Sequence, residues 1–142
     1  MSRIYWDSML FIYWLEENPD FAKRVTAIHA RMRERDDQLI SSAFTLGEVL
    51  AGAYRRGAVR QINQVRKDLL ALLSEVVSFT TDTADHYARI RGRFASIGSG
   101  DAIHLACAAS AGIDLFLTND KNLVGRVIPG IQFIAGIDSN IL

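Results

Sequence analysis

Four acidic residues spread along the chain, Asp7, Glu48, Asp101 and Asp120, each follow an apolar run or stand near the start of a helical one. Like charges collected in one pocket raise each other's pKa unless something positive neutralises them. Oxygen donors, with three His and a single Cys (Cys107) in the whole chain, suit a hard cation such as Mg2+ or Mn2+ better than zinc. A cation gripped by a few carboxylates lowers the pKa of bound water and stabilises in-line displacement at a phosphodiester, with one or two ions taking part. That is the chemistry this acidic set can perform if the fold collects it.

Each residue also has a local alternative. Asp7 can cap the helix that follows it, although Ser8 is also placed to do so. Thr45-Leu46-Gly47-Glu48 fits a capping box, and taken alone Glu48 is read more readily as part of that box than as a ligand. Asp101, after Gly98-Ser99-Gly100, fits an N-cap for residues 102–111. Asp120 fits a turn that Lys121 and Asn122 complete as a solvated loop. A shared location decides between the two kinds of role.

Strand-like runs at residues 3–6, 38–41, 76–79, 115–118 and 131–134 supply that location. Helical stretches separate the first four. One spans 8–17 and is stopped by Asn18-Pro19. The next carries the stripe Phe21, Val25, Ile28 and Met32. Residues 45–54 and 59–73, split at Gly57, follow, and then 83–94 and 101–111. Alternation of this kind predicts an α/β fold: a single domain over 1–142, a three-layer α/β/α sandwich around a mostly parallel sheet of about five strands. In open parallel sheets, sites lie outside the carboxyl ends of the strands. Asp7 and Asp120 follow strands one and four, Glu48 is early in the helix after strand two, and Asp101 opens the helix that leads into strand four. All four are expected at one edge of the sheet.

Composition narrows the function classes. The 142 residues are 49% apolar and 23% charged, which excludes a disordered tail. A formal net charge of zero excludes nucleic-acid binding through bulk positive charge. One Cys and three His build neither a structural zinc site nor a disulfide framework, in keeping with a reducing compartment. The longest apolar run, residues 9–15, falls well short of the roughly 20 needed for a membrane helix and lacks the flanks of a secretory signal. A cytoplasmic protein with no membrane association is expected. Met9 stands where a haloacid-type phosphatase needs a second Asp, and strand five has no Lys beside it for a receiver-like domain.

The acidic motifs together resemble those of PIN-domain nucleases. Ile4-Tyr5-Trp6-Asp7-Ser8 is similar to the family's opening Asp motif, and Glu48 in Thr45-Leu46-Gly47-Glu48-Val49-Leu50 to its helix-borne Glu. Gly100-Asp101-Ala102-Ile103-His104-Leu105-Ala106 resembles the third acidic motif and Leu117-Thr118-Asn119-Asp120 the Thr-x-Asp ending. The four stand in order over nearly the whole chain, most like the VapC toxins of toxin–antitoxin pairs. The resemblance implies a Mg2+- or Mn2+-dependent endoribonuclease, held inactive by a cognate antitoxin. It casts Asp7, Glu48, Asp101 and Asp120 as metal-binding carboxylates, with family members differing in whether the fourth, here Asp120, touches the metal directly. Ser8 and Thr118 become orienting hydroxyls and Asn119 a supporting residue by position.

A nuclease must also hold a polyanion. Arg55, Arg56, Arg60, Arg66 and Lys67 carry positive charge with no acidic residue between them, and are candidates for an RNA backbone as well as for a solvated face. Arg89, Arg91 and Arg93 read as solvated. His104 shares a helix face with Asp101 and could support the site from behind the ligands or act as a general acid, but reads first as a packed or polar-capped core residue, and Cys107 as helix packing. The helix over 8–17 is apolar all round, which predicts a partner surface at Phe11, Trp14 and Leu15, for an antitoxin segment or a second copy in a homodimer. Two rivals remain at this level: a degenerate, non-catalytic PIN-like module that only binds RNA or protein, and a DNA-cleaving PIN relative.

Overall fold

The computed structural model describes residues 1–142. Its strands are β1 (Arg3–Trp6), β2 (Gln38–Ser42), β3 (Glu75–Val77), β4 (Ile113–Thr118) and β5 (Ile131–Gly136). They form one sheet in the order β3-β2-β1-β4-β5, and every neighbouring pair is parallel. The helices are α1 (Ser8–Leu15), α2 (Ala22–Glu34), α3 (Ala43–Arg55), α4 (Ile62–Leu72), α5 (Thr81–Arg93) and α6 (Ser99–Ala111). The α/β sandwich expected from the alternation of periods is therefore the one found.

Period-two alternation splits the core into two layers. Tyr5, Ile40, Phe116 and Ile134 point to one face, where α5 and α6 cover them. Ile4, Trp6, Leu39, Leu115 and Leu117 point to the other, under α1, α2 and residues of α3 and α4. Helix α6 is alanine-rich because it lies in the thick of the first layer: Ala102 and Leu105 to Ala109 are all buried. The β4–β5 connection crosses α6 so closely that a Cβ on Gly130 would meet the Ala109 carbonyl oxygen at 2.8 Å, and Gly130 has φ +97. Only glycine meets both conditions.

Element ends differ from expectation for identifiable reasons. Helix α1 stops at Leu15 rather than 17 because Glu17 turns to φ 50. The stretch from residue 59 begins as a 3-10 turn, Val59–Gln61, before α4. Strand β3 ends at Val77 because Thr80 is claimed as the cap of α5, in a capping box with Thr83. Thr80→Ala should cost about 1 kcal/mol, the usual worth of such a cap. Thr80 follows the edge strand β3, two strands away from β1, so the substitution should leave activity unchanged, and thermal denaturation beside an activity assay checks both.

Candidate functional site

Strand β1 is central. From it the chain steps outward to β2 and β3, then returns to β4 on the other side of β1. The crevice at the carboxyl ends of β1 and β4 is thus the topological switch point, where parallel sheets place their sites. Asp7 is the first residue past β1 and Thr118 the last of β4. The Thr118 hydroxyl donates to Asp7 Oδ2 at 2.5 Å, and the Asp120 backbone N–H donates to Thr118 Oγ1 at 3.0 Å. One threonine ties the first and last acidic residues to the same point.

Asp7 caps α1 by accepting from the Met9 backbone N–H at 3.1 Å. Ser8, a possible cap by sequence, is instead the first helical residue and is buried. The capping box at Thr45 and Glu48 does not form. Ser42 caps α3 by accepting from the Thr45 N–H at 3.1 Å, which places Glu48 a full turn further in. Its Oε1 lies 2.6 Å from His104 Nε2. Asp101 does not cap α6 either. Gly98 takes that position, and Asp101 sits in the first turn, where the helix dipole favours negative charge.

Electrostatics add which charges bear on one another. Asp101 is pushed up to about 6 by burial, then by a hydrogen bond and charge from Asp120 and by the charge of Asp7, with His104 opposing. Asp7 is raised by burial, which outweighs the Thr118 hydroxyl, His104 and the backbone N–H groups of Met9 and Leu10. Burial also acts to raise Glu48, but the hydrogen bond and charge of His104, together with Ser8, hold it below the ordinary range. The charges of Asp120 and Asp7 therefore bear on Asp101, while Glu48 is bonded to His104.

The donor chemistry fits a divalent cation. Asp7, Asp101 and Asp120 are oxygen donors whose mutual repulsion is what an added positive charge would relieve. The side chains do not already close into a group of three or more acidic, His or Cys ligands.

Other sequence candidates fall as follows. Asn119 turns away from the carboxylates and donates from Nδ2 to the Tyr13 hydroxyl at 3.1 Å. Among the basic residues, Arg56 pairs with Glu16 and Arg66 donates to Asn63 Oδ1 at 2.7 Å. Arg55, Arg60 and Lys67 are exposed. The expected partner face on α1 needs correction at Phe11. That side chain is 1% exposed and packs on Trp6 with ring centroids 5.1 Å apart, so the chain's own core already covers it. Trp14 is half-buried against Trp6 and His29. Leu15 and Met9 are the exposed apolar residues of this helix.

Sequence reasoning missed the polar group behind Glu48. The Tyr5 hydroxyl lies 2.9 Å from His104 Nδ1 and 2.8 Å from Ser42 Oγ, and Thr45 Oγ1 lies 3.4 Å from Nδ1. A signal existed: alternation along β1 turns Tyr5 to the α6 face, where His104 stands one turn after Asp101.

Comparison with known proteins bears on the family and the fold. The sequence pattern of the family described as PIN domain matches residues 4–126. Among solved structures, the DNA-bound VapBC from Salmonella typhimurium is similar at 25% identity and TM-score 0.72, over 96% of this chain and 99% of that one. VapBC2 from Rickettsia felis, bound to a DNA fragment from its promoter, gives 16% identity and TM-score 0.75 over 94% and 98%. VapBC-5 from Mycobacterium tuberculosis gives 21% and 0.58 over 95% and 99%. Comparison with curated proteins gives no match.

Proposed function

Because the chain belongs to the PIN-domain family, we propose that it is a metal-dependent endoribonuclease, the toxin of a toxin–antitoxin pair, working as one nuclease domain over residues 1–142 in the cytoplasm. The observation that carries the reading is the tie of Asp7 and Asp120 through Thr118 at the switch point of the sheet, beside Asp101, whose carboxyl both charges push up. Similarity to the toxin chains of VapBC complexes supports the same conclusion.

Asp7, Asp101 and Asp120 would hold Mg2+ or Mn2+, with Glu48 at their flank. A cation there would supply charge neutralisation at the phosphodiester and a bound water of lowered pKa. The protein's own residues do the positioning. Thr118 fixes one oxygen of Asp7 and, through the Asp120 N–H, the start of the following loop. The Met9 N–H fixes the other oxygen of Asp7. Burial of Asp7 strengthens each of these contacts by keeping water away.

Arg55, Arg60 and Lys67, on or beside α3 and α4, are the free charges for an RNA backbone. Exposed Met9 and Leu15 on α1 offer apolar contacts to an antitoxin segment or to a second copy in a homodimer. No helix is long and apolar enough to cross a membrane.

The test is cleavage of total cellular RNA by purified protein with Mg2+, with Mn2+ and with EDTA, alongside single-stranded DNA. Discrete RNA products that vanish in EDTA are expected. Equal patterns with and without EDTA would overturn the reading in favour of a non-catalytic PIN-like module, and cleavage of DNA alone would replace the substrate.

A further inference from the structure

Glu48 is half-exposed, yet one of its oxygens is already bonded to a side chain that is almost completely buried. His104 is 4% exposed and lies with its ring between two polar groups of opposite kind. On one side Nε2 is 2.6 Å from Glu48 Oε1. On the other, Nδ1 faces the Tyr5 hydroxyl at 2.9 Å, with the Thr45 hydroxyl at 3.4 Å. Tyr5 is itself wholly buried and braced by Ser42. Phe44 and Tyr5 flank the imidazole with ring centroids 5.0 and 6.0 Å away, which leaves it little freedom to rotate.

The partners settle which nitrogen donates. A carboxylate only accepts, so the hydrogen on the Glu48 side must be carried by Nε2. Hydroxyls both donate and accept, so Tyr5 can serve Nδ1 whether or not that nitrogen carries a hydrogen. In either ring state the Nε2 hydrogen belongs to Glu48. We infer that His104 is a positioning residue: clamped by Tyr5, Thr45 and Phe44, it holds the Glu48 carboxylate in one orientation toward the metal site through its Nε2–H.

The consequence is familiar from metal sites in which groups behind the ligands set ligand direction, and their removal costs about 10–100-fold in metal affinity. Glu48 stands on α3 whereas Asp101 stands on α6. The Glu48–His104 bond is therefore also a cross-link between the two helices that bring acids to the site. His104 lies on the same helix as Asp101, so the orientation of Glu48 is referred to the frame that carries Asp101.

The inference rests on the metal-dependent reading above, and the experiment separates the two. Mn2+ binding is measured by calorimetry on the purified chain, its His104→Gln and His104→Asn variants, Glu48→Ala and the double variant His104→Asn with Glu48→Ala. A glutamine amide reaches roughly where Nε2 was and keeps a donor for Glu48. An asparagine amide reaches only as far as Nδ1 and satisfies Tyr5 instead. Expected is a loss of affinity of about 10–100-fold for His104→Asn, near-wild-type binding for His104→Gln, and no further loss when His104→Asn is added to Glu48→Ala.

Equal losses in the Gln and Asn variants, no loss in His104→Asn, or losses that multiply in the double variant would overturn the positioning role. A wild-type chain that binds no Mn2+ removes the metal reading and this inference together. A second observation needs no variant to fold. In the metal-free wild type, side-chain 15N NMR of His104 should show a hydrogen on Nε2, protected from exchange. A ring with its only hydrogen on Nδ1 would overturn the inference.

Discussion

Asp7→Asn will abolish RNA cleavage while leaving the chain folded. The expected loss is on the order of 10³-fold, the scale on which a single preorganised charge-stabilising group is lost. The substitution is mild for the structure. The amide oxygen can still accept from the Met9 N–H, so the cap on α1 survives, and Thr118 needs only to turn its hydroxyl to meet the new NH2. It also removes a negative charge that burial disfavours. Cleavage of cellular RNA in Mg2+, with circular dichroism and a melting curve on the same sample, checks both halves. Retained cleavage by a folded Asp7→Asn protein would sink the carboxylate mechanism.

Asp101→Asn should stabilise the metal-free protein, and in a pH-dependent way. The folded pKa of about 6 lies above that of an ordinary Asp near 3.9. Between those two values the folded chain keeps a proton that the unfolded chain releases, so stability falls as pH rises through that window. Above it the penalty stands in full. Fully buried, such a gap would be worth about 3 kcal/mol, but Asp101 is only partly buried and solvent screening reduces this to roughly 1 kcal/mol. In EDTA at pH 7.5 the variant should melt a few degrees above wild type; at pH 4 the two should coincide.

Saturating Mg2+ should reverse the order. A ligand at a hundred times its dissociation constant adds about 2.7 kcal/mol to the chain that binds it, and the variant binds poorly. His29, held low by burial and by Arg33, makes stability fall as pH drops below its ordinary range, which is the opposite sense. Comparing wild type and variant at each pH removes that background. A variant less stable than wild type in EDTA at pH 7.5 would mean that Asp101 is not under repulsion at all.

The architecture was readable because its signals are periodic and long. Alternating strands and multi-turn helices are enough to put Asp7 and Asp120 at the carboxyl edge of the sheet, where the structure has them. Capping was harder. Ser8, Thr45 and Asp101 all fit caps by residue type, yet Asp7, Ser42 and Gly98 take those positions. A cap is chosen by where the strand ends, and strand ends move by a residue or two without changing the pattern. Phe11 departs from expectation for a related reason: an all-apolar helix does not disclose which flank its own core covers. The link from Glu48 to His104 spans 56 positions and joins two helices, so only the packed structure reveals it.

The bond between Thr118 and Asp7 closes over 111 positions, and β1 is paired on that side only by β4. A chain emerging from the ribosome therefore has no assembled candidate site until β4 has been synthesised. Contacts this distant in sequence form late and slowly, because the loop must close before the pairing repays it. If the proposed RNA cleavage holds, the nascent chain would be inert through most of its own translation, and chains terminated before β4 would lack the Thr118–Asp7 contact altogether.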